Sequence, residues 1–126
     1  MKETLKRINE LKKKGLIKDY AIGGGIAAFF YIEPFLTYDL DLFIIMESKV
    51  KEGVINLSPI YEYLESKGGK WKGEHIIVKG VPVQLILADE LEEEAVGNAK
   101  SISYEGEPTK VFSPEYLIAV LKRAGR

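Results

Sequence analysis

The run Asp39-Leu40-Asp41-Leu42-Phe43-Ile44-Ile45-Met46 constrains this chain more than any other stretch. Leu40 to Met46 is apolar throughout except for Asp41, and its length suits a strand buried on both faces. Side chains of a strand alternate between faces. Asp39 and Asp41 therefore project to one side, and Leu40, Leu42 and Ile44 to the other. A carboxylate in such surroundings is costly to bury, and two at adjacent same-face positions repel each other. A divalent cation shared by Asp39 and Asp41 relieves both costs and keeps positions open for phosphate oxygens. The bland alternative makes Asp39 a solvated turn residue and Asp41 an edge charge.

Composition decides which cation. The chain has no cysteine and one histidine, His75. Disulfides, a thiolate nucleophile and cysteine- or histidine-rich metal sites are thereby excluded. What remains is an oxygen-liganded hard cation, Mg2+ or Mn2+. With 46% hydrophobic and 29% charged residues, 126 residues make one globular domain. The net charge of −1 argues against a protein that blankets a phosphate backbone. No apolar run approaches the ~18 residues of a membrane span, and lysines interrupt any signal-peptide core. The expected address is cytoplasmic.

Gly23-Gly24-Gly25 lies between a strand-like run, Leu16 to Ile22, and an Ala- and aromatic-rich stretch, Ile26 to Ile32, that reads as a helix ending before Pro34. Glycines let a ligand approach the backbone, and the free N–H groups of the following helix suit phosphate. The same triplet serves equally as a tight turn packed under a neighbour.

Elsewhere the pattern is regular. Residues 2 to 14 carry six basic and two acidic side chains with Leu5, Ile8 and Leu11 on one stripe. They predict a basic helix within residues 1–15, whose charges read as a solvated face. The remaining core spans residues 20–126. Ser58-Pro59 and Ser113-Pro114 each combine a capping serine with proline at the first helical position. Gly68-Gly69 stops the first of these two helices. His75–Val78 and Val81–Leu87 form a hairpin about Lys79-Gly80, and Glu105 to Pro108 turns a second one. Asp89 to Ala95 is an acidic helix start. His75 reads as a surface residue, Trp71 as loop packing, and Phe29, Phe30, Tyr31 and Phe35 as core. The order is that of an α/β (α+β) domain with a small mixed sheet flanked by helices.

Ala21-Ile22-Gly23-Gly24-Gly25-Ile26-Ala27, a helix's length of chain, and then Asp39-Leu40-Asp41-Leu42 resemble the signature of the polymerase-beta-like nucleotidyltransferase superfamily. Its glycine pair falls on Gly23-Gly24 or Gly24-Gly25, and the ending Gly-Gly-Ile-Ala favours the second. Val111-Phe112-Ser113-Pro114-Glu115-Tyr116-Leu117-Ile118, followed by Leu121 to Arg126, is similar to the last helix of the small abortive-infection (AbiEii-like) group. The resemblance implies a nucleotidyltransferase-like fold and Mg2+- or Mn2+-dependent transfer of a nucleoside monophosphate from an NTP to an acceptor. That acceptor, or a partner, would be a protein, an RNA or a small molecule. It implies further that the glycine turn holds the triphosphate and that Asp39 and Asp41 hold the metal. Lys122 and Arg126 would contact phosphate, or else complement the helix dipole.

Two departures stand out. The resemblance places a third acid where this chain has Gln84, in Gly80-Val81-Pro82-Val83-Gln84-Leu85. An amide can ligate a cation but cannot take a proton, so Gln84 leaves an alternative: a nucleotide-binding module, sensor or toxin–antitoxin-like component with little turnover. Glu74 and Asp89 are the candidate substitutes. The chain also stops at Arg126, where relatives carry a further polar helix. A compact form, or completion of the site by a partner or a missing segment, is therefore expected.

Overall fold

A computed structural model describes residues 1–24, 39–46 and 56–123. The helix expected over residues 26–32, the aromatic set from Phe29 to Phe35, Gly25 and Arg126 lie outside the described residues.

Helix α1 (Lys2–Lys13) buries Thr4, Leu5, Ile8 and Leu11 and turns its lysines outward, as the three-residue stripe predicts. Strand β1 (Asp19–Gly23) begins later than the apolar run at Leu16 suggests. The cause is local. The N–H groups of Leu16 and Ile17 both donate to the Leu11 carbonyl, so these residues finish the helix-ending turn and cannot join a ladder. Asp19 opens the strand, pinned at its two carboxylate oxygens by Lys12 (3.1 Å) and Lys110 (2.8 Å). Strand β2 (Leu40–Ile45) carries the acidic motif.

Helix α2 (Ser58–Ser66) starts differently from the sequence expectation. Ser58 is not the cap: Leu57 occupies that position, and the Ser58 N–H itself donates to Asn56 Oδ1 at 3.0 Å. Asn56 sits two residues earlier with a longer side chain and reaches the free donor that Ser58, already helical, cannot. The helix does stop at Gly68, whose φ of +96° lets the Gly69 N–H reach back to the Leu64 carbonyl at 2.8 Å.

Strand β3 (Lys70–Lys72) is unannounced in the sequence and contains Trp71, which leans on Tyr61 with ring centroids 4.7 Å apart. Strands β4 (His75–Val78) and β5 (Val81–Leu87) form the expected hairpin. Its two turn residues, Lys79 (φ 51°) and Gly80 (φ 82°), have the paired positive φ that suits the twist of a hairpin. Helix α3 (Glu90–Gly97) is capped reciprocally. Asp89 Oδ1 accepts from the Glu92 N–H, and Glu92 Oε1 accepts from the Asp89 N–H. Strands β6 (Lys100–Tyr104) and β7 (Glu107–Val111) make the second hairpin, turned by Glu105-Gly106 alone. Helix α4 (Pro114–Arg123) follows. Here too the expected serine cap is absent among the described residues: Ser113 Oγ is buried without a hydrogen bond, and only its carbonyl serves Tyr116 and Leu117.

The seven strands form one mixed sheet in the order β3-β4-β5-β2-β1-β7-β6. Strand β2 runs antiparallel to β1 and parallel to β5. With four helices among the described residues, the architecture is the mixed α/β class expected. The two faces of the sheet differ. Leu40, Leu42, Ile44, Ile76, Val83 and Ile22 are fully or almost fully buried on one face. Two contacts show that α1 and α2 cover it. Tyr20, on this face, donates to Asn9 of α1, and Trp71, paired with Ile76, rests on Tyr61 of α2. The opposite face buries Phe43 but also carries Asp41, Gln84, Ile86 and His75, which are only half-buried. Among the described residues no helix is long and apolar enough to cross a membrane.

Candidate functional site

The register of the sheet puts the motif positions side by side. Gly23 on β1 pairs with Asp41 on β2, and Asp41 pairs with Gln84 on β5. One step beyond the Ile76–Val83 pair, His75 on β4 stands opposite Gln84, and Lys72 on β3 pairs with His75. Directly opposed residues share a face, so this row crosses the half-buried side of the sheet.

The glycines divide their work. A Cβ on Gly23 would come within 2.5 Å of the Phe43 ring and 2.9 Å of the Phe112 ring, which pack at 4.9 Å between centroids. Gly23 is thus required by core packing. Gly24 has φ +71°, and a Cβ there would run into Asp41 Oδ2. The backbone of the turn therefore lies directly against the Asp41 carboxylate, the close approach that only glycine permits.

Gly24, Asp41 and Gln84 line a cavity of about 260 Å3. Phe43, Ile86 and Phe112 supply its apolar floor, and Leu117, Val120 and Leu121 of α4 its apolar wall. The polar rim is completed by Glu92 and Arg123. Arg123 is gripped by two carboxylates, Nη1 to Asp89 Oδ2 at 2.5 Å and Nη2 to Glu92 Oε2 at 2.7 Å. The Glu92 N–H, and then Arg123, hold the Asp89 carboxyl below the usual carboxylate range, and Asp89 in return pushes the Arg123 guanidinium up.

The other motif acid stands apart from this cavity. Asp39 precedes β2, is 59% exposed, and places Oδ2 3.3 Å from His75 Nε2. His75, read from sequence as a surface residue, is half-buried and in contact with a motif carboxylate. Lys122 is exposed and does not line the cavity. Its neighbour Arg123 does, and helical phase explains why. Leu117, Val120 and Arg123 recur at a spacing of three along the inward stripe, which Lys122 misses. That spacing was the available signal for Arg123, and the Asp89-x-x-Glu92 capping pattern was the one for Glu92.

The donors on this face are hard oxygens: the Asp39 and Asp41 carboxylates and the Gln84 amide. Among the described residues no group of three His, Asp or Glu side chains converges as a metal cage. Mg2+ does not need one. It is commonly held by one or two carboxylates together with substrate phosphate oxygens and water. Such a donor set suits a hard cation that brings further oxygen ligands with it. Neither a family model nor a curated protein matches this chain.

Proposed function

We propose that this chain is a nucleotidyltransferase-type domain that binds an NTP with Mg2+ or Mn2+ and moves the nucleoside monophosphate to an acceptor hydroxyl. The observation that carries this reading is the row Gly23–Asp41–Gln84. A glycine-ended strand, an Asp-x-Asp strand antiparallel to it and a third strand parallel to that one align the three motif positions, with the Gly24 backbone against Asp41. When bound, the cation would neutralise phosphate charge and polarise the α-phosphorus. Asp41 and Asp39 would hold it, the glycine turn would bring backbone next to the phosphates, and the cavity would exclude water from part of the nucleotide. Such catalysis is positioning and electrostatics.

In the transfer, a bond forms from the acceptor oxygen to the α-phosphorus, the bond to the bridging oxygen breaks, and pyrophosphate leaves. The acceptor proton needs a base. Gln84, the residue beside Asp41, cannot accept it, and losing a positioned base costs on the order of 10²–10⁴-fold in rate. Gln84 therefore favours a second reading, nucleotide binding with little turnover, as in a sensor or one half of a toxin–antitoxin-like pair.

Thermal shift against each NTP with and without Mg2+ or Mn2+ tests binding. Wild type should gain a metal-dependent stabilisation that Asp41→Asn loses; the absence of any shift with all NTP–metal pairs overturns both readings. Transfer of label from α-labelled NTP into cell extract then separates them. Transfer by wild type supports the enzyme, and transfer gained only on Gln84→Asp supports the binding module.

A further inference from the structure

The cavity beside Asp41 measures about 260 Å3 and opens to solvent. That lies near the low end of ligand pockets, which suits one part of a nucleotide with the rest outside. The charges on its rim decide which part can enter. Asp41 and Glu92 are both acidic, and among the described residues lining the cavity Arg123 is the one cation. Among these lining residues, Arg123 is the group that can meet a polyanion approaching Asp41.

The guanidinium is built for this. Its planar fork has five N–H donors, of which one on Nη1 and one on Nη2 go to Asp89 and Glu92. The two acceptors are unequal. The Glu92 side chain is 10% exposed and is itself fixed by the Asp89 N–H, whereas the Asp89 side chain is 51% exposed. Glu92 is an anchor, and Asp89 is a solvent-side partner of small energetic weight. An arginine fixed at one edge loses little freedom on taking a phosphate at the other, and its fork matches phosphate geometry in a way an ammonium does not.

We infer that Arg123 recognises the phosphates beyond the first on the bound nucleotide, with Glu92 as its positioning residue. Arg123 thereby makes this cavity selective for nucleoside triphosphates over monophosphates. The inference rests on the nucleotide-binding reading above and deepens it.

The test is calorimetric binding of the NTP that wild type prefers, and of its mono- and diphosphate, each with Mg2+. Wild type, Arg123→Ala, Arg123→Lys, Glu92→Gln and the Arg123→Ala/Glu92→Gln pair are compared. Arg123→Ala should weaken the triphosphate about 10- to 100-fold, the worth of a charge-assisted hydrogen bond or two, and the monophosphate less than about threefold. Arg123→Lys keeps the charge without the fork and should recover only part of the loss. Glu92→Gln should weaken the triphosphate in the presence of Arg123 and add nothing in its absence, because a positioning residue acts through its partner. Equal losses for mono- and triphosphate, or none, overturn the inference while leaving nucleotide binding intact. If wild type binds no NTP, the functional reading falls and takes this inference with it. Should Arg123→Ala fail to fold, the triphosphate-to-monophosphate affinity ratio of Arg123→Lys decides: a fall supports the inference and an unchanged ratio overturns it.

Discussion

At Gly24 the chain makes a turn that no other residue could make without disturbing Asp41. Gly24→Ala meets two costs, a positive φ and a Cβ against the Asp41 carboxylate. It should destabilise the protein by about 1–3 kcal/mol in urea unfolding. Shortening Asp41 to alanine removes only the second cost. The double variant Gly24→Ala/Asp41→Ala should therefore be more stable than the sum of the singles predicts, and strict additivity would show that the two positions do not touch. Tyr20 offers a pH-dependent test. Burial, joined by the nearby Glu107 and Asp19 charges, pushes its hydroxyl up to about 12 against the pull of the Thr109 hydrogen bond. Because the folded value lies above the ordinary 10.0, the stabilisation is complete below pH 10 and is lost as pH rises towards 12. Above pH 10 wild type should lose about 1.4 kcal/mol per pH unit relative to Tyr20→Phe, which has nothing to ionise at that site. Parallel curves for the two proteins would contradict this. Asp41 was legible in the sequence because an acid within an apolar run has few inexpensive explanations. Arg123 was not, because one arginine in a basic helix end looks like its neighbours until the cavity selects among them.

Among the elements, α3 shows how one cap serves two purposes. Asp89 closes the first turn of α3 and also receives Arg123 from the last turn of α4. The two roles separate chemically, since asparagine caps as well as aspartate but carries no charge for Arg123. Asp89→Ala should lower the urea midpoint clearly, and Asp89→Asn by less than half as much. Equal losses would mean that the ion pair, not the cap, holds the two helices. Hairpins were readable because Lys79-Gly80 and Glu105-Gly106 place glycine where a two-residue turn needs positive φ. The short edge strand β3 was not, because Lys70-Trp71-Lys72 has no apolar alternation and pairs only through its neighbour β4. The serine caps failed for a different reason. A Ser-Pro pair fixes where a helix can begin, but the side-chain acceptor at α2 comes from Asn56, outside the local pattern.

Across the whole molecule, the strand order could not be read from local sequence, since β1 sits between β2 and the distant β7, and β5 adds to β2 from forty residues away. That order is what turns three separate motifs into one row. It also divides the sheet by task. The face covered by α1 and α2 holds fully buried aliphatic side chains, and the face bearing Asp41, although it buries Phe43, is half-buried at Asp41, Gln84 and Ile86, where it lines the cavity. Stability and ligand binding should therefore respond to different substitutions on the same strands. Leu42, completely buried on the covered face, has no room to relax, so Leu42→Ala should cost ~2–5 kcal/mol through lost burial and the cavity left behind. Ile86 lies half-buried on the other face, in the wall of a space that already exists. Ile86→Ala should cost under ~1.5 kcal/mol, because the lost side chain enlarges a cavity open to solvent rather than creating a sealed one. Yet Ile86→Ala should alter nucleotide affinity, whereas a milder covered-face change such as Ile44→Val should leave it alone. Urea unfolding and nucleotide titration on the same three variants check both halves. If Ile86→Ala proved as destabilising as Leu42→Ala, the cavity wall at Ile86 would be packed as tightly as the covered face, and the division of labour between the two would be wrong.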